Sequence, residues 1–239
     1  MHVPLQQLQL PAIVSAIGAI GGLGAAAFGV LEALKPFFGF INRIGLGGIQ
    51  STVAQLTPPA SGAGTPLNAL TGGQILRAIE ANWINGRNLA DQKAIAKSLI
   101  KLHLSADNAA QVAAAANVDP AHLVAVARSA ASGAALTAEQ SDAWSRFDLI
   151  VTAMLDECYQ RADQIYRNWM RAIASGIAVV LAVAGGCLLD GGWAGFRAGN
   201  DLGLAVIAGL LATPFAPIAK DLSTALATAV NTMQAVKNL

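Results

Sequence analysis

Three stretches without a formal charge govern what this chain can fold into. No Asp, Glu, Lys or Arg occurs from Val3 to Leu31, and Leu10 to Leu31 (LPAIVSAIGAIGGLGAAAFGVL) is apolar or small throughout. At about 1.5 Å per residue, roughly 20 such residues cover the ~30 Å hydrocarbon core of a bilayer. Two further windows lie between Arg171 and Asp190 and between Asp201 and Lys220. Each is close to the lower length limit for a span. The first of these two is rich in Ile, Val and Leu, worth together about −2 to −5 kcal/mol for insertion before its glycines are counted. All three windows are therefore expected to cross a membrane.

The rest of the composition agrees. Apolar residues make up 54% of the chain and charged residues 12%, against about 25% charged in globular domains. Such a chain lacks the polar surface to cover itself in water. A net charge of +1 excludes the clustered basic excess that phosphate backbones require, so no nucleic-acid partner is expected. The N-terminal sequence MHVPLQQLQLP has no Lys or Arg, whereas a cleaved signal peptide needs a basic start. The first window, residues 1–34, is read as a retained span.

Within that span small residues recur at helical spacing: Gly18 and Gly22 form GxxxG, and Gly21, Ala25 and Gly29 repeat every fourth position. Side chains this small let a second helix backbone approach closely, which marks a helix-packing or assembly surface. Trp169 and Arg171 before the second window, and Trp193 and Arg197 after it, have the amphipathic character of interfacial anchors.

Basic flanks set the orientation. Lys35 and Arg43 follow the first window, Arg161, Arg167 and Arg171 precede the second, Arg197 alone lies in the 190–201 turn, and Lys220 and Lys237 follow the third. The N-terminus and the turn are thus expected outside, with residues 35–172 and the C-terminus in the cytoplasm.

Between the first two windows, residues 35–73 read as an interfacial segment (PFFGFINRIGLGGIQSTVAQL) followed by a Pro/Gly linker (TPPASGAGTPLNALTGG). Helical spacing returns with Ile75, Ile79 and Trp83, and 74–140 is expected to be a small helical domain. Asp119 before Pro120 is an N-cap signal that Gly133 can close, and Thr137 with Gln140 matches a capping box. Residues 141–172 place Phe147, Val151, Leu155, Cys158, Ala162 and Ile165 on one face. No proline or glycine intervenes before Gly176, so this amphipathic stalk should run on into the second span, about 73 Å from Ser141 to Leu189 at ~1.5 Å per residue. The hairpin, 173–220, contains Pro214 and Pro217, and 221–239 reads as a C-terminal amphipathic helix. The fold expected is an all-α membrane protein: about three transmembrane helices, a small cytoplasmic helical domain and a long stalk continuous with the second span.

The segment LDECYQRADQIYR, Leu155 to Arg167, followed by an apolar window, resembles a family of uncharacterised bacterial integral membrane proteins. Their motif before a membrane helix is similar to F-D-x-x-M-D-R-x-S-G-W-Y-K-R. Asp156, Arg161, Tyr166 and Arg167 match it, Leu155 and Tyr159 stand for its Phe and Met, and Gln160, Asp163, Gln164 and Ile165 depart from it. The resemblance implies residence in a bacterial inner membrane and brings no activity.

Chemistry has no foothold in the sequence. His2, His103 and His122 are scattered, Cys158 and Cys187 form no ligand spacing, the serines lack a GxSxG context, and no glycine run forms a phosphate loop. No catalytic residue, metal, cofactor or small-molecule substrate is expected. The partners expected are the lipid bilayer and either further copies of the chain or a larger membrane complex. The leading function is a non-enzymatic structural or assembly protein. A pore-former using the apolar hairpin, and an accessory subunit of a membrane enzyme, are the alternatives.

Overall fold

A computed structural model describes residues 10–59, 70–198 and 201–237. It is 83% helical, with no strand among the described residues. Ten helices follow in order: α1 (Leu10–Leu34), α2 (Gly39–Asn42), α3 (Leu46–Leu56), α4 (Gly72–Ile84), α5 (Leu89–His103), α6 (Ala109–Ala115), α7 (Pro120–Ser132), α8 (Ala138–Leu189), α9 (Trp193–Ala198) and α10 (Asp201–Lys237). Three of them, α1, α8 and α10, are long and apolar enough to cross a membrane. The all-α membrane architecture with its long helix leading into the second window is therefore present.

The chain divides into two compact units, Gly39–Arg167 and a second made of residues up to Phe38 together with those from Asn168 onward. The first is wider at both ends than the 74–140 segment expected from sequence. Leu46, Ile49, Val53 and Leu56 of α3 are buried in its core, with Ile75 and Ile79 of α4, Ile100 of α5, and Phe147, Val151, Leu155 and Tyr159 of α8. An amphipathic helix at a lipid surface and one at a protein core carry the same apolar stripe. In α3 the stripe is used on protein, which corrects the interfacial reading of residues 46–56. The first thirty residues of α8, expected as a stalk, likewise give their apolar face to this core. Each fully buried Leu, Ile or Phe here contributes on the order of 1.5–3 kcal/mol before entropy is counted.

Local chemistry fixes the ends of these helices. Asp119 accepts from the backbone N–H of Ala121 (2.8 Å) and His122 (3.3 Å), and Gly133 closes α7 at φ 72°. Thr137 and Gln140 form the reciprocal pair at the start of α8: the Gln140 N–H donates to the Thr137 hydroxyl (3.3 Å) and the Thr137 N–H to the Gln140 side chain (3.1 Å). Thr71 and Gln74 do the same for α4, a capping box inside the stretch read from sequence as linker. Gly45, before α3, adopts φ 88°, and a Cβ there would come within 2.5 Å of the Ala162 carbonyl oxygen.

In the second unit the 190–201 turn holds the six-residue α9, entered through Gly191 and Gly192 at φ 70° and 129°. α10 continues through Pro214 and Pro217 to Lys237, so the return arm of the segment expected as 173–220 and the described part of 221–239 share one helix.

Candidate functional site

The closest helix contacts in the second unit are made where α10 meets α1 and α8. A Cβ on Gly24 would overlap the Ala212 carbonyl and reach 3.1 Å from Ala216 Cβ; one on Gly21 would overlap Ala219 and lie 3.2 Å from the Phe215 carbonyl oxygen. Only glycine permits this approach. Ala27 is fully buried beside Ala178 and Ala212, with Ile20, Leu23, Ile177 and Leu181 packed around them. Where α10 meets α8, a Cβ on Gly209 would come within 2.5 Å of Val179 Cα. The hydroxyls of Ser175 and Thr213 share a hydrogen bond of 2.7 Å across the α8–α10 pair. In hydrocarbon a hydroxyl prefers such a partner, and pairs of this kind are worth about 0.6 kcal/mol on average.

Of the packing residues read from sequence, Gly21 alone is in this seam. Gly18, Gly22 and Gly29 have no heavy atom within 4 Å of where a Cβ would stand, and Ala25 is exposed. They form a separate, outward small-residue face on α1. Gly24 and Gly209 were missed. The first lies at the i+3 position from Gly21, and every side of α1 carries glycine or alanine, so spacing alone does not single out the face that packs. Among the interfacial anchors, Trp169 and Trp193 are 56% and 54% exposed and Arg171 is exposed. Trp193 lies 6.2 Å from Phe196, ring to ring. Arg197 belongs to α9, and its side chain lies outside the described residues.

The Gly39–Arg167 unit carries polar clusters with structural roles. Lys93, Lys97 and Lys101 stand one helical turn apart on α5 and pair with α8: Lys93 with Asp156, and both Lys97 (2.6 Å) and Lys101 with Asp148. Burial pushes the Asp148 carboxyl up, but the hydrogen bonds and charges of Lys101 and Lys97 outweigh it and hold the group below the usual carboxylate range. Lys101 also sits 5.0 Å from the centre of the Trp144 ring. Burial raises the Cys158 thiol and the Tyr159 phenol above their ordinary ranges, which makes both poor nucleophiles at neutral pH.

His103 faces two carbonyls, Leu70 at 2.8 Å and Pro58 at 3.0 Å, and ties the end of α5 to the approaches of α3 and α4. His122 lies beside Asp119 at 3.6 Å in an open cleft of about 450 Å³ that also includes Glu139, Asp142 and Arg146. The residues that carry the sequence resemblance are likewise occupied: Leu155 and Tyr159 are buried, Asp156 pairs with Lys93, Arg161 with Glu157 and Arg167 with Asp163, and the Tyr166 ring meets Trp83 edge-on at 6.2 Å. No group of three or more His, Cys, Asp or Glu side chains able to hold a metal occurs among the described residues.

No protein family, curated protein or solved structure matches the chain.

Proposed function

We propose that the chain is a non-enzymatic protein of the bacterial inner membrane that assembles with further copies of itself or docks to a larger membrane complex. In this reading α1, the apolar end of α8 and α10 cross the bilayer, the N-terminus and the 190–201 turn lie outside, and residues 35–172 and the C-terminus are cytoplasmic.

The observation that carries the reading is the apolar surface left on the three long helices. Only 22%, 11% and 22% of the most apolar windows of α1, α8 and α10 are buried, and Val180, Leu188 and Leu189 are 66%, 83% and 88% exposed. Surface of this extent needs lipid or other helices against it. The outward Gly18, Gly22 and Gly29 face of α1 suits a helix neighbour, because lipid gains nothing from small residues that a helix backbone can exploit. The basic flanks and the resemblance at Leu155 to Arg167 support the orientation and the bacterial setting.

Gentle detergent extraction, followed by mass measurement and identification of everything bound, tests the reading. A defined oligomer or a fixed-ratio complex is expected. A monodisperse monomer with nothing bound would overturn assembly.

A further inference from the structure

The directions of the three apolar helices carry a consequence for how the chain enters a membrane. Moving along α1 from Gly21 to Gly24 moves the contact on α10 backward, from Ala219 and Phe215 to Ala216 and Ala212. These two helices are antiparallel. Moving along α8 from Ser175 to Val179 likewise moves the partner on α10 backward, from Thr213 to Gly209. That pair is antiparallel too, as a hairpin must be. After two reversals, α1 runs in the same direction as the apolar end of α8.

Two spans that run the same way need the chain between them to return across the bilayer. Between α1 and the apolar end of α8 the described helices α2 to α7 are at most fifteen residues long, and none of them is among the helices able to cross. With the α1–α10 seam closed, α1 and the α8–α10 hairpin cannot all span.

We infer that the seam is a closed arrangement that opens on insertion: α1 leaves α10 and crosses in the opposite sense, while the hairpin stays paired. This rests on the proposed reading of all three helices as spans. The α1 contact is a close glycine and alanine packing at Gly21, Gly24 and Ala27, of a kind that another helix backbone can replace. The α8 contact has the Ser175–Thr213 hydroxyl pair, whose separation would leave two hydroxyls in hydrocarbon. The seam is the contact that must open, because α8 and α10 are antiparallel as consecutive spans require, whereas α1 and α8 are parallel.

The test uses the chain lacking both native cysteines, with the pair Ala27→Cys/Ala212→Cys across the seam and, separately, Ala178→Cys/Ala212→Cys across the hairpin. Each is treated with a short bifunctional thiol reagent, in native membranes and in mild detergent. The seam pair is expected to cross-link in detergent and to yield about tenfold less in membranes, a population shift that the hairpin pair does not show. Equal seam cross-linking in membranes overturns the inference, and so does its absence in both settings. Single cysteines at Gln6 and Ala198, probed with an impermeant thiol reagent, separate this from the reading beneath it. If the two label from opposite faces, the three-span reading itself fails.

Discussion

At the residue scale, the glycines of α1 make a sharp contrast within one helix turn. Gly24→Val forces side-chain atoms into the Ala212 carbonyl, whereas Gly22→Val projects into open space. The expected outcome in detergent is a melting temperature lowered by several degrees for Gly24→Val, an overpacking cost of about 1–3 kcal/mol, and none for Gly22→Val. Circular dichroism on heating reads both.

Asp148 gives a residue-scale prediction with a pH signature. Its carboxyl is held low by Lys101 and Lys97, so the folded state favours the charged form. The stabilisation is present above the unfolded carboxylate's titration near pH ~4 and is lost as pH falls through the folded group's lower range. Asp148→Asn should therefore cost about 1 kcal/mol at neutral pH, and the gap to wild type should close below pH ~4. A constant gap across that range would remove the lysine pairing as its cause.

At the element scale, α10 packs against both α1 and α8. Ser175→Ala and Thr213→Ala should each destabilise the hairpin, and the double variant should cost less than the sum. A coupling of about 0.6 kcal/mol is expected from a double-mutant cycle; strict additivity would mean that the hydroxyls do not act on one another.

How much of each element could be read in advance depended on whether its cause is local. The caps at Asp119 and Thr137 were legible because a cap is a bond between residues two or three apart. The apolar windows were legible because length and composition decide them. The use of α3 was not, since Leu46, Ile49, Val53 and Leu56 make a stripe that fits a bilayer surface and a protein core equally well. The seam was not, because α1 offers small residues on every side and only the partner helix selects Gly21 and Gly24.

At the scale of the whole molecule, the orientation proposed for the spans rests on where lysine and arginine lie, not on the packing. A cysteine placed at Ala131 should be shielded from an impermeant thiol reagent added outside intact cells, and one placed at Ala198 should react. The reverse pattern would invert the molecule. Ala131 is exposed near the end of α7, so a failure to label there reports on position relative to the membrane; Ala198, the last residue of α9, is its counterpart beyond the second window.

Both units bury an unusual amount of alanine. Ala96, Ala109, Ala113, Ala116, Ala127 and Ala162 line one core, and Ala27, Ala174, Ala178, Ala212 and Ala219 are buried in the other unit. In most interiors the damaging change is truncation, because shortening a side chain opens a void. At these alanine positions the side chain is already near the lower bound of size, and that route is closed there. The harmful changes at these sites are additions, and the lineage's tolerated variation should collect on outward faces, where a methylene more or less meets only lipid or water.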